Sequence, residues 1–169
     1  MLRCARQKNW CVLAEHTAAR AVFYAFDPML GKGAELAEIK WTPGATFCDW
    51  DISPDGSYIA FIDTVNDPHA IGVVDLRVSP AIIARVHVSG QDPLRTISWD
   101  AKGSGYYVST YNNEGDILRL LHISGSGEAH VLDQKLNSVD GRMYVSPDGR
   151  HLAFHRFVAN PNIWLLHAQ

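Results

Sequence analysis

Between Thr46 and Ile52 the chain alternates, with Cys48, Trp50 and Ile52 on one side and Asp49 and Asp51 on the other. That is the period of a strand. Ser53-Pro54-Asp55-Gly56 follows as a tight turn: Pro54 presets the first central dihedral, Asp55 tolerates the second, and Gly56 supplies the left-handed position. Tyr58 to Ile62 reads as the second strand. A polar loop from Asp63 to His69 leads to a third at Ala70 to Leu76, and a fourth runs from Ile82 to Val88. The same grammar recurs. Arg95 to Asp100, Gly105 to Thr110, Ile117 to Ile123 and Ala129 to Asp133 make another unit. Met143 to Val145, His151 to Arg156 and Ile163 to His167 begin the next, and Cys11 to Glu15, Ala21 to Phe26 and Glu35 to Lys40 match strands two to four of a first. Gly33 to Ile39 carries helix-forming Ala, Glu and Leu, but its position in the repeat assigns it to a strand.

The punctuation is itself a repeat. Ser-Pro-Asp-Gly stands at 53–56 and again at 146–149, with an eroded version around Asp100-Ala101-Lys102-Gly103, so Gly56, Gly103 and Gly149 are about 46 to 47 residues apart. Four short antiparallel strands per period of this length are the blades of a β-propeller. An immunoglobulin-like sandwich lacks such periodicity, and a solenoid or irregular sandwich is the alternative. The expected fold is therefore all-β, a single domain of about four blades near residues 1–40, 41–89, 90–136 and 137–169.

The ends of this pattern are ragged. The first unit shows no clear first strand and the last no fourth, so either Met1 to Ala5 supplies a closing strand or the propeller is partial. A four-stranded blade face covers on the order of 350 Å². Two open faces exceed what a monomer usually exposes. Self-association is expected, most simply two arcs making an eight-bladed ring, unless the chain is part of a longer protein or a closed four-bladed ring.

Composition narrows the function classes. The 169 residues are 47% hydrophobic and 20% charged, with a net charge of -3. The chain thus lacks the basic footprint of nucleic-acid binding. Cys4, Cys11 and Cys48 have no CxxC or CxxH spacing, so reduced, buried thiols are expected rather than a disulfide framework or zinc site. Neither a secretory signal nor a membrane span is recognisable, and a cytoplasmic location is expected.

The pattern W-x-x-S-P-D-G-x-x-[IL]-A-F, in Trp50 to Phe61 and again in Val145 to Phe154 with Ile163-Trp164-Leu165-Leu166 after it, resembles the WD40-like repeat of TolB-type propellers. The resemblance spans roughly residues 40 to 167. It extends to the C-terminal propeller regions of bacterial multidomain serine/threonine kinases and winged-helix regulators. It implies a noncatalytic protein-interaction or sensor module, a fragment or relative of a larger signalling protein. The kinase signatures (a glycine-rich nucleotide loop, His-Arg-Asp, Asp-Phe-Gly) are absent from this sequence.

Chemistry is sparse. There is no Gly-x-Ser-x-Gly elbow. Asp51 to Gly56 has the start of a calcium loop, but Ile62 stands where the bidentate Glu belongs. His151 and His155 would be about 13 Å apart on one strand, too far to share a metal. No catalytic residue, cofactor or metal ligand is assigned, and Trp50, Trp99 and Trp164 read as blade-packing core. Loops between second and third strands, and between blades, should emerge on one rim, opposite the Ser-Pro-Asp-Gly turns. That rim would carry Trp41, Asp67, His69, Asn112, Asn113, Asp140 and Asn160 as candidate interaction residues. The alternatives to an interaction module are a lyase or hydrolase using the central channel and a purely structural assembly module.

Overall fold

The computed structural model describes residues 1–17, 19–40, 49–62, 67–78, 81–112, 117–136, 138–139, 143–154 and 157–158. Every regular element among them is a strand. The first sheet contains β1 (Leu2–Cys4), β2 (Cys11–His16), β3 (Arg20–Asp27) and β4 (Gly31–Lys40), in that order. The second contains β5 (Trp50–Ile52), β6 (Tyr58–Ile62), β7 (Ala70–Asp75) and β8 (Ile82–His87). The third contains β9 (Leu94–Trp99), β10 (Gly105–Tyr111), β11 (Ile117–Ser124) and β12 (Ala129–Leu136). The fourth unit is described as two pairs, β13 (Ser138–Val139) with β16 (Phe157–Val158) and β14 (Met143–Val145) with β15 (Leu152–Phe154). The three complete sheets are antiparallel meanders. The chain is a partial β-propeller.

Three local expectations meet a definite outcome. The segment from Gly33 to Ile39 lies inside β4, because pairing with β3 fixes an extended backbone whatever its intrinsic propensity. Met1 to Ala5 contributes no closing strand, since Leu2–Cys4 is the first strand of the first sheet, paired with β2. The expectation of reduced thiols is corrected for Cys4 and Cys11, which form a disulfide. They stand opposite one another in the β1–β2 register, a juxtaposition that a search for short metal or redox spacings does not reveal. Closing so short a loop is worth about 2 kcal/mol by chain-entropy reasoning. Cys48, His155 and the predicted strand at Ile163 to His167 lie outside the described residues.

The core sits between sheets. Phe23, Val12, Ala14 and Ile39 of the first meet Trp50, Ile52, Ile59, Phe61 and Val74 of the second, with Phe23 and Trp50 edge to face at 5.1 Å. Ala60, Ile62 and Ile71 of the second meet Ile97, Trp99, Tyr106, Val108, Leu121 and Ile123 of the third. Met143 and Leu152 continue the series against Leu118 and Leu120. Trp50 and Trp99 are thus core residues, 0% and 4% exposed, as their recurrence predicts.

The repeated turns form one stacked rim. In Ser53 to Gly56, the Gly56 N–H donates to the Ser53 carbonyl (2.9 Å), the Ser53 hydroxyl donates to Asp55 Oδ1 (2.6 Å), and Tyr58 N donates to Ser53 Oγ (2.9 Å). Ser146 to Gly149 repeats each of these bonds. In the eroded copy, Asp100 replaces both Ser and Asp: its Oδ1 accepts from Lys102 N and Ser104 N, each at 3.0 Å. Gly56, Gly103 and Gly149 all have φ near 70° (73°, 71° and 69°). A Cβ on Gly56 would lie 2.0 Å from Trp10 Nε1, one on Gly103 3.5 Å from Pro54, and one on Gly149 2.7 Å from Ala101 Cβ. Each turn therefore rests on the turn of the preceding unit.

These bonds make the turn acid-sensitive. Hydrogen bonds from Ser53 and Ser57 hold the Asp55 carboxyl down at about 2, against 3.8 ordinarily, and Asp148 shifts the same way through Ser146. A depressed folded pKa contributes stability that is fully present above the unfolded value and is lost as pH falls through the folded one. Urea midpoints should therefore decline between about pH 4 and pH 2. Asp55→Asn should flatten that part of the profile, and an unchanged slope would refute the assignment.

Candidate functional site

The rim opposite these turns is built at the second sheet by the approach to β7 and the exit from β8. Asp67 nucleates the approach: its Oδ1 accepts from His69 N (3.1 Å) and its carbonyl from Ala70 N (3.1 Å), which starts β7. The exit is tied to it by Val88 N donating to the His69 carbonyl (2.9 Å) and Leu94 N to the Pro68 carbonyl (2.8 Å). The approach to β7 thus lies beside the blade-to-blade connection, as the meander requires. His87, opposite Ala70 in the register, brings Nδ1 within 3.2 Å of Asp67 Oδ2. An open cleft of about 370 Å³ results, lined by His69, His87, Val88, Ser89, Gly90 and Gln91.

The predicted rim residues fare unequally. Asp67 and His69 share this corner. Asn112 follows β10 of the third sheet, where its Oδ1 accepts from Ile117 N (3.0 Å) and its own N–H donates to the Ile117 carbonyl (3.2 Å), so it ties the end of β10 to the start of β11. Trp41, Asn113, Asp140 and Asn160 lie outside the described residues. Sequence reasoning missed His87, Ser89 and Gln91; His87 reaches this corner only through its pairing with Ala70, a matter of strand register. The cleft offers two imidazoles, a hydroxyl, an amide and loop peptide groups, which suits a polar partner by hydrogen bonding. Among the described residues, no group of three or more His, Cys, Asp or Glu is arranged to hold a metal ion.

A second set of polar groups lies on the first strands of the sheets. Asp49 Oδ2 accepts from Ile97 N and Asp51 Oδ2 from Trp99 N, both at 3.0 Å, so the carboxylates of one blade grip the backbone of the next. Arg6 completes the clamp, with Nη2 3.7 Å from Asp51 Oδ2 and Nη1 donating to the Trp99 carbonyl (3.3 Å). Arg3 stands 3.9 Å from Asp49 Oδ1. One blade on, Ser98 Oγ donates to the Met143 carbonyl. The Asp49/Asp51 face therefore turns toward a neighbouring blade, with Asp51 7% exposed.

No family model and no curated protein matches the chain. Solved structures do. Hydrazine synthase of Kuenenia stuttgartiensis is similar over 99% of this chain and 58% of its own, at 12% identity and a TM-score of 0.54. A protein from Bacteroides uniformis named "a putative 6-phosphogluconolactonase" matches over 90% of this chain and 51% of its own, at 16% identity and a TM-score of 0.53. A functionally unknown protein from Desulfotomaculum acetoxidans matches over 91% and 61%, at 13% identity and a TM-score of 0.51. The chain spans only a little over half the length of these structures. At such identities the likeness supports the propeller fold and nothing about activity. Among the described residues no helix is long and apolar enough to cross a membrane.

Proposed function

We propose that this chain is a noncatalytic, WD40-like propeller module that binds a protein or small polar partner on the rim bearing Asp67, His69, His87 and Gln91, as part or relative of a larger signalling protein. The observation that carries the reading is the fate of Asp49 and Asp51. A channel-site enzyme needs carboxylates free to act on substrate, whereas these two accept hydrogen bonds from Ile97 N and Trp99 N of the adjacent blade. The rim groups, by contrast, border an open cleft, and loops held on a rigid scaffold are where recognition is usually placed. A cytoplasmic location belongs to the same reading.

The test uses a photo-activated cross-linking residue placed at His69, and at Ser57 on the opposite rim, in cells producing the parent protein. The expected result is a discrete adduct from position 69, lost with Asp67→Ala, and none from position 57. Adducts of equal yield from both rims, or no adduct from position 69, would overturn the proposal. So would hydrolysis of a sugar lactone by the purified chain above the buffer rate.

A further inference from the structure

The registers of the four units superimpose residue for residue. Trp50 pairs Phe61 and Ile52 pairs Ile59 in the second sheet; Ile97 pairs Val108 and Trp99 pairs Tyr106 in the third; Met143 pairs Phe154 and Val145 pairs Leu152 in the fourth. In the second and third sheets these positions form the face packed on the preceding blade and are at most 5% exposed. The same positions in the first sheet are Leu2 with Leu13 and Cys4 with Cys11, extended across β3 by Tyr24 and Phe26. This set is equally apolar, yet Leu2 is 43% exposed and Leu13, Tyr24 and Phe26 are only partly buried. The other end mirrors it. The position that grips the following blade is Arg3 in the first sheet, Asp51 in the second and Ser98 in the third. In the fourth unit it is Tyr144, 53% exposed on the side away from buried Met143.

We propose that the Leu2/Leu13/Tyr24/Phe26 face is a blade-accepting surface and that its occupant is the fourth unit of a second copy of this chain, Tyr144 of one copy lying against β1 of the other. A second copy carries both complementary faces, so two head-to-tail contacts close a ring. The area suffices. Two contacts of two blade faces, each face on the order of 350 Å², bury about 1,400 Å², within the range of stable specific interfaces.

Sedimentation velocity of the full chain at micromolar concentration decides it. The expected species is a dimer. Leu2→Glu and Tyr144→Glu, each at an exposed position and each checked for retained β circular dichroism, should weaken the dimer about tenfold or more. Mixing the two variants should restore dimers, because one head-to-tail contact is then intact. A monomeric wild-type chain, a dimer unmoved by both substitutions, growth into open oligomers, or failure of the mixture to dimerise would each overturn the proposal. If the variants do not fold, the wild-type mass still separates a dimer from a monomer. Recovery of a longer natural polypeptide that is monomeric, with further blades on this face, would equally refute it.

Discussion

Gly127→Ala is expected to cost about 4 kcal/mol in urea unfolding, ahead of Gly56→Ala at about 3 and Gly90→Ala at about 1. All three glycines have positive φ, 92°, 73° and 71°. Each substitution therefore incurs the left-handed penalty of roughly 1–2 kcal/mol. They differ in what the new methyl meets. At Gly90 nothing lies within 4 Å. At Gly56 the indole of Trp10 stands 2.0 Å away and must swing off the turn. At Gly127 the obstacle is the carbonyl oxygen of His87 at 2.2 Å, main chain that cannot rotate aside. Because His87 lines the rim cleft, Gly127→Ala should also weaken cross-linking from position 69. Equal destabilisation at the three sites would show that backbone strain alone matters there.

The glycines of the repeated turns show how far the sequence could be read. Gly56, Gly103 and Gly149 announce turns by local chemistry alone, and their even spacing sets the number of units without any knowledge of contacts. Strand order follows, since short loops join neighbours. What local pattern could not reveal is what each face meets. The alternation of Trp50 and Ile52 with Asp49 and Asp51 is that of a strand with one wet face, but between two blades both faces are dry. The acids there are satisfied by backbone N–H groups of Ile97 and Trp99, far along the chain. Cys4 and Cys11 were obscured similarly: their pairing depends on the hairpin register of β1 with β2, while short Cys motifs report only on neighbours in sequence. On the rim, Asp67 and His69 were legible as loop residues. His87 was not, because it closes a strand and enters the site only through its pairing with Ala70.

Asp51→Ala should cost about 3–4 kcal/mol and should loosen the joint between second and third blades before it loosens either blade. The side chain is 7% exposed and accepts from Trp99 N at 3.0 Å. Its removal leaves a buried N–H without that acceptor, a penalty of roughly 1–3 kcal/mol. It also strips Arg6 of the carboxylate 3.7 Å away, and losing one partner of a partly buried pair adds to the cost. Asp51→Asn retains an oxygen that can accept from Trp99 N while giving up the charge, so it should recover most of the loss and leave a deficit of about 1 kcal/mol. Hydrogen exchange locates the effect: in Asp51→Ala, the amides of Ile97 and Trp99 should lose protection while those of β6 and β7 keep it. A catalytic carboxylate would behave differently, with both substitutions sparing stability and abolishing turnover. If Asp51→Ala unfolds at the wild-type urea concentration, the clamp is not what joins the blades, and the main support for the noncatalytic reading falls with it.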